Sequence, residues 1–324
     1  MKYTRLGDLT VSRIGLGCMG MSHLYTGHST DEQRSIRTIH RALDLGVTHI
    51  DTAELYGPFS NEVLVGKALK GRRDTVVLTS KFGLRSHVGR PGPLDSSAAN
   101  IRVSIEGSLQ RLGTDYLDLY YQHRVDKTVP IEEVIGTLAE LVDEGKIRHI
   151  GLSEAGREKI RRAHAVHPIA ALQSEYSLWS RDADDGTLDL LRELGIGFVP
   201  YSPLNRGLLT GAVRSRDELD ADDWRLSNPR FLDGALESNL AVVDEIAEIG
   251  REAGATAAQV ALAWLLSRGE DWSPIPGTTR PEHLEEDLGA LDVQLSDEQL
   301  GRLTTITPAI GDHHSAAQTL LFDR

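Results

Sequence analysis

The chain has 324 residues, a formal net charge of −13 and a single cysteine, Cys18. Its 40% hydrophobic and 26% charged residues are typical of a globular protein, and no apolar run has membrane length. The acidic balance argues against nucleic acid, which requires clustered Lys and Arg, and one cysteine excludes an internal disulfide framework. Because "MKYTRLGDLT" has no signal-peptide pattern, we expect a cytoplasmic protein that has a small-molecule partner and contacts neither membranes nor nucleic acid.

In chain order, the pattern alternates between short apolar runs and longer amphipathic segments. A β-hairpin turning at Gly7 and Asp8 is predicted first. Eight strands follow, predicted at "RIGLG", "THIDTA", "TVVLTSKF", "YLDLYYQH", "IRHIGLS", "ALQSEY", "GFVPYSP" and "WSPIPG". Helices are predicted between them, among them "DEQRSIRTIHRALDLG", "SAANIRVSIEGSLQRLG", "IEEVIGTLAELVDEG" and "TAAQVALAWLLSRG". This alternation predicts one domain over residues 1–324, a (β/α)8 TIM barrel with an N-terminal hairpin and extra loops at the C-terminal end.

The first predicted barrel strand runs into GLGCMG, a literal match to the GxGxxG of Rossmann folds. That motif requires a helix opening directly out of the glycine turn. The next helix signal is a capping box at Thr30 and Gln33, too far along the chain to meet a phosphate there. We therefore interpret the match as a coincidence of glycines.

Two predicted connections are longer than βα loops usually are, at residues 83–94 and 204–237. Both follow strands, so in a barrel both would overhang the C-terminal face, where TIM-barrel enzymes keep their active sites. Trp224, Pro229 and Phe231 are unusual choices for a solvated segment. We expect lids over the site rather than solvated loops.

Polar residues end three successive predicted strands: Asp51, Lys81 and His123, with Tyr56 in the loop after Asp51. Singly, Asp51 and His123 are compatible with structural roles. Together the four predict a proton donor, in which Lys81 lowers the pKa of Tyr56 toward neutrality and Asp51 keeps Lys81 charged. His123 would hydrogen-bond a substrate carbonyl, whose oxygen Tyr56 protonates.

Several stretches resemble the aldo-keto reductase family: "GVTHIDTAELYGPFSNEVLVGKAL", "VVLTSKFG", "DYLDLYYQHRVD", "GKIRHIGLSE", "LQSEYSLWSRD", "YSPLNRGLLTG" and "PIPGTTRPEHLEEDLGAL". The similarity extends from the hairpin to about Thr307 and is greatest to the microbial and plant branch that carries GLSEA. It implies NADP(H)-dependent reduction of an aldehyde or ketone, with hydride from the nicotinamide and a proton from Tyr56. The family's catalytic tetrad would be Asp51, Tyr56, Lys81 and His123.

The same resemblance implies a set of cofactor contacts. Tyr201 would stack on the nicotinamide, Ser153 and Gln173 would bind its carboxamide, and Glu154 stands where Asn is common. The turn after the first strand would border the nicotinamide at Gly17, Cys18 and Met19. The segment Ser202 to Gly211 would form the pyrophosphate loop, through Ser202, Pro203, Leu204, Arg206 and Gly207.

At the adenosine end, the resemblance assigns the 2′-phosphate to Gly277, Thr278 and Arg280, and the adenine to Glu286 and Asp287. Arg280 is the reason to expect NADPH rather than NADH. His283 and Asp287 depart from the common Arg and Asn.

Two other functions stay open at this point. One is a redox-sensing NADP(H)-binding module that regulates a partner, and the other is a dedicated reductase of sugar or natural-product ketones. No metal is expected, because His313 and His314 have no third ligand at metal spacing and are interpreted as tail residues.

Overall fold

The computed structural model describes residues 1–22, 31–84, 94–315 and 319–323. The predicted hairpin is confirmed: β1 (Tyr3–Leu6) pairs with β2 (Leu9–Ser12), and Gly7 takes a φ of +58° in the turn. Leu6, Leu9 and Val11 pack against side chains inside the barrel, including Val199. The hairpin therefore closes the N-terminal end of the barrel with apolar side chains.

Seven parallel strands follow in sequential order. They are β3 (Leu16–Gly17), β4 (His49–Asp51), β5 (Val77–Phe82), β6 (Leu117–Gln122), β7 (Ile147–Ser153), β8 (Ile169–Glu175) and β9 (Gly197–Tyr201). Each joins the next through a crossover connection of the kind parallel strands require.

The eighth predicted strand, "WSPIPG", makes isolated bridges rather than a regular strand. Phe198 pairs with Trp272 and Tyr201 with Ile275 on one side, while Gly17 pairs with Gly277 on the other. The carbonyls of Pro274 and Pro276 accept hydrogen bonds from β3, but neither proline has an N–H to return. The segment still closes the sheet, and the fold is the predicted (β/α)8 TIM barrel.

Helices surround this sheet: α1 (Glu32–Asp44), α2 (Ser60–Leu69), α3 (Ala98–Leu112), α4 (Ile131–Asp143), α5 (Arg157–Val166), α6 (Thr187–Leu194), α7 (Ala235–Ala253), α8 (Ala257–Ser267), α9 (Pro281–Gly289) and α10 (Asp297–Thr304). The cap predicted for α1 was wrong: Asp31 caps it by accepting from the Arg34 N–H, and Thr30 lies outside the described residues. None of the helices described is both long and apolar enough to cross a membrane.

The connection after β9 has structure of its own. It contains short 3-10 turns at Asn205–Thr210, Arg216–Glu218, Trp224–Ser227 and Pro229–Phe231, and α7 begins at Ala235, before the predicted loop end. Phe231 is fully buried, which agrees with a packed cover rather than a solvated loop. Of the other predicted lid, residues 85–93 lie outside the described part of the chain.

Candidate active site

The C-terminal ends of β4, β5 and β6 bring the predicted tetrad together. Asp51 pairs in register with Thr79, two residues before Lys81, and the His123 N–H donates to the Phe82 carbonyl at the end of β5. Since side chains two apart in a strand share a face, Asp51, Thr79 and Lys81 all project to one side of the sheet. Tyr56 follows β4 in a tight turn and reaches the same point.

Lys81 is fully buried, and the structure shows three hydrogen-bond acceptors around its ammonium group. Nζ lies 2.5 Å from Asp51 Oδ1, 2.7 Å from the Thr52 carbonyl and 3.2 Å from Tyr56 Oη. Burial lowers the pKa of Lys81, but Asp51 and Tyr56 raise it by more, and the net shift is upward. Lys81 is therefore a fixed cation at neutral pH.

The Asp51 carboxylate accepts further hydrogen bonds besides the one from Lys81. Its Oδ2 accepts from Thr79 Oγ1 at 2.8 Å and from Gln173 Nε2 at 2.9 Å. Sequence reasoning missed Thr79, although its position two residues before Lys81 on the same strand face was a usable signal. The carboxylate thus has fixed partners on both oxygens, and it orients Lys81.

The expectation for the pKa of Tyr56 was wrong in direction. Burial raises the pKa of the Tyr56 phenol above 10, Lys81 lowers it by less, and Asp51 raises it further. The phenol therefore keeps its proton throughout the neutral range. Tyr56 is a hydrogen-bond and proton donor in its ground state, rather than a phenolate.

His123 lies beside Tyr56, with the two rings edge to face and their centroids 6.0 Å apart. Burial, followed by the charges of Arg124 and Lys81, holds the pKa of His123 well below 6.5. The ring is thus neutral at pH 7 and carries one N–H. Among the described residues, Nδ1 has no hydrogen-bond partner.

Arg124 is a site residue that sequence reasoning did not select. Its Nη1 donates to the His123 carbonyl at 2.6 Å and to Ser153 Oγ at 3.1 Å. Its position directly after His123 at a strand end was the available signal. Arg124 joins the tetrad to the predicted carboxamide contacts.

The residues predicted to hold the nicotinamide end border the tetrad. Ser153 and Gln173 are register partners at the ends of β7 and β8, and Tyr201 ends β9. Gly17 lies against Gly277, and a Cβ on Gly17 would stand 2.8 Å from the Ile275 carbonyl. Cys18 is fully buried, its N–H donates to the Asp51 carbonyl, and Met19 starts a 3-10 turn rather than a long helix. The glycine turn therefore borders the tetrad and lacks the helix of a Rossmann motif.

The predicted pyrophosphate loop has an unusual backbone. Ser202, Asn205 and Arg206 have φ of +50°, +52° and +59°, in the left-handed region that L residues rarely adopt, and Gly207 follows at +88°. Such strain is often kept where a ligand binds. Arg206, expected to meet phosphate, is buried and instead donates from Nη2 to Glu175 Oε2 at 2.8 Å.

The residues predicted to bind the adenosine end of the cofactor lie on α9 and just before it. Arg280 is exposed immediately before α9, whose first residue is Pro281, and no described side chain caps that helix start. Thr278 Oγ1 accepts from the Arg280 N–H. Glu286 is half-buried, and burial raises the pKa of Asp287 well above its usual range. A helix N-terminus next to an exposed cation suits an anion.

The sequence shows no third ligand at metal spacing for the tail residues His313 and His314, but the fold brings a potential one, Glu175, beside them. Glu175, remote in sequence at the end of β8, lies 3.3 Å from His313 Nδ1 and 3.0 Å from His314 Nε2. His314 Nε2 is also 3.4 Å from Tyr201 Oη, and the tail residue Phe322 packs against His314 at a centroid distance of 4.8 Å. The tail therefore covers part of the predicted nicotinamide site.

Comparisons with known proteins identify the family of this chain. The profile of the Aldo/keto reductase family matches residues 13–308. A soybean (Glycine max) protein, "Probable aldo-keto reductase 1", is 45% identical over 303 residues, covering 93% of this chain and 87% of that protein. The solved glycerol dehydrogenase AKR11B4 from Gluconobacter oxydans is 30% identical with a TM-score of 0.84, covering 93% of each chain. A thermostable aldo-keto reductase, Tm1743, solved with the inhibitor epalrestat, is 31% identical with a TM-score of 0.76, covering 95% of this chain and all of that one. The chain therefore belongs to the aldo/keto reductase family of oxidoreductases that act on carbonyl compounds.

Proposed function

We propose that this protein reduces an aldehyde or ketone to an alcohol with NADPH, and that Tyr56 donates the proton. The observation that carries the proposal is the chain of contacts from the buried Asp51 through Lys81 Nζ to Tyr56 Oη. A cation this close stabilises the negative charge that Tyr56 acquires when its proton leaves. The cytoplasm, a reducing compartment, suits the free buried thiol of Cys18.

The cofactor residues support NADP(H), which members of the family generally use. Arg280 and the uncapped start of α9 would hold the 2′-phosphate, and Gly277 and Thr278 would lie beside it. Ser153 and Gln173 would hold the carboxamide and Tyr201 the ring face. When bound, the nicotinamide supplies the hydride that reduces the carbonyl carbon.

This chain's own residues handle the proton and the oxygen. The substrate oxygen would accept hydrogen bonds from Tyr56 Oη and from the neutral ring of His123. As the carbonyl carbon is reduced, its oxygen gains negative charge, which draws the proton from Tyr56. Lys81 then compensates the charge left on the phenol oxygen, and Asp51 keeps Lys81 in place.

Replacing Tyr56 with Phe tests the proposal, because it removes the donor and keeps the ring. We expect turnover of a carbonyl panel, followed at the absorbance of NADPH, to fall at least a hundredfold, in line with the contribution of about 10²–10⁴ from a general acid. NADPH affinity, measured by fluorescence titration, should change by less than about threefold, since the phenol oxygen holds no part of the cofactor. Tyr3→Phe, on the exposed hairpin, is the matched control. Undiminished turnover in Tyr56→Phe would refute the assignment.

A further inference from the structure

We propose that Glu175, His313 and His314 form a binding site for one divalent transition-metal ion, Zn²⁺ in the first instance. The side-chain donor atoms of the three residues lie within 4.8 Å of one another. Glu175 is 3% exposed, His313 9% and His314 8%, so the cluster is inside the protein. Two imidazole nitrogens and one carboxylate oxygen are ligands that Zn²⁺ takes in sites where water fills the fourth position.

The spacing of the donors fits an ion between them. Zinc bonds of about 2.0–2.2 Å in a tetrahedral site set ligand atoms about 3.3 Å apart. Glu175 Oε1 is 3.3 Å from His313 Nδ1, and Oε2 is 3.0 Å from His314 Nε2. Both imidazoles thus direct a nitrogen at the same carboxylate, and binding of one ion would draw the three donors in from the 4.8 Å within which they lie.

The surrounding contacts also match a metal site. The second nitrogen of His313, Nε2, lies 2.9 Å from Asp182 Oδ2, the carboxylate contact that commonly orients metal-binding histidines. Ser180 Oγ donates to Glu175 Oε1 at 3.0 Å, and Arg206 fixes the same carboxylate from the other side. Ligating carboxylates are typically held by such hydrogen bonds.

Arg206 also sets a limit on affinity, because its guanidinium is 2.8 Å from Glu175 and repels a cation. The negative charges of Glu175 and Asp182 oppose it. We therefore expect reversible zinc binding. A chelator should remove the ion more readily than from a structural zinc site.

The site has a consequence for the proposed reductase, and this step rests on the proposed function. His314 contacts the Tyr201 hydroxyl at 3.4 Å, and Phe322 packs between His314 and Arg124, whose Cζ lies 5.0 Å from the Phe322 ring centroid. An ion that fixes His314 would hold His314 and Phe322 beside the predicted nicotinamide position. Zinc should then weaken NADPH binding.

Metal binding is tested first, without cofactor or substrate. Full-length protein treated with EDTA and then freed of chelator is titrated with Zn²⁺ against a chromophoric chelator, together with His313→Gln, His314→Gln and the control His167→Ala. We expect one equivalent bound by the wild type and by the control, and at least tenfold weaker binding in both glutamine variants. Failure of the wild type to compete, or glutamine variants that bind as it does, would overturn the site.

A second measurement needs no variant. Co²⁺ added to the wild-type protein should give the d–d absorption of a tetrahedral site, which one equivalent of Zn²⁺ abolishes; an octahedral spectrum unaffected by Zn²⁺ would contradict the assignment.

In a separate titration, Zn²⁺ should raise the NADPH dissociation constant of the wild type at least threefold and leave that of His314→Gln unchanged. An equal effect on both proteins would overturn the claim that zinc at this site weakens NADPH binding. Because zinc binding is scored without cofactor, its failure is distinguishable from failure of the reductase proposal.

Discussion

Glu54, two residues before Tyr56, should make the stability of this protein fall as the pH rises from about 4.5 to about 7. The side chain is 3% exposed, and Oε1 accepts from the Gly83 N–H at 3.2 Å, which ties the Tyr56 loop to the end of β5. Burial, more than any other cause, raises the pKa of Glu54 from 4.5 to about 7. The unfolded chain loses this proton near pH 4.5 while the folded chain keeps it to about pH 7.

The size of the effect follows from those two values. Each pH unit between them is worth about 1.4 kcal/mol, so stability should decline by up to about 3 kcal/mol between pH 4.5 and 7 and stay level above, as far as Glu54 is concerned. Glu54→Gln keeps an oxygen for the Gly83 N–H and cannot ionise. Its stability relative to the wild type should therefore rise by about 2.5 kcal/mol from pH 5 to pH 8.

Urea unfolding of both proteins at several pH values between 5 and 8 measures this difference directly. Glu282→Gln, at an exposed position on α9, is the control for a Glu-to-Gln change on the surface. If the Glu54→Gln curve runs parallel to that of the wild type over the whole range, Glu54 is ionised in the folded state and the reasoning is wrong.

Three further changes probe the buried pair, the closure of the barrel and the choice of cofactor. Lys81→Met should lower the free energy of unfolding by about 3–5 kcal/mol, because it leaves Asp51 buried and unpaired, and adding Asp51→Asn should recover part of that loss in urea titrations. Gly17→Ala places a Cβ 2.8 Å from the Ile275 carbonyl and should lower the free energy of unfolding by about 1–3 kcal/mol in urea titrations. An unchanged midpoint would mean that β3 and the closing segment can move apart without loss of stability. Arg280→Ala should raise the KM for NADPH by roughly 10- to 150-fold, the worth of a charge-assisted hydrogen bond, with the KM for NADH unchanged in steady-state assays. Equal changes for both cofactors would remove the 2′-phosphate assignment.

The sequence was informative where local pattern and topology coincide. Alternating strands and helices predict the barrel, and strand ends predict that Asp51, Lys81 and His123 meet, because parallel strands carry their C-terminal residues to one face. The pKa of Tyr56 was mispredicted because the nearby charge is visible in sequence whereas the depth of burial, which outweighs it, is not. The contact of Glu175 with the two tail histidines joins residues more than a hundred positions apart, and no spacing rule reaches that far.

At the two prolines of the closing segment, the hydrogen bonds that close the barrel run in one direction only. Pro274 and Pro276 accept hydrogen bonds from the N–H groups of Gly15 and Gly17, and neither proline has an N–H to donate in return. In hydrogen-exchange experiments, the amides of Gly15 and Gly17 should therefore exchange before those of the central strands. A cofactor that contacts both Gly17 and Gly277 would bridge this junction. The amide exchange of Gly15 and Gly17 should then slow when the cofactor binds.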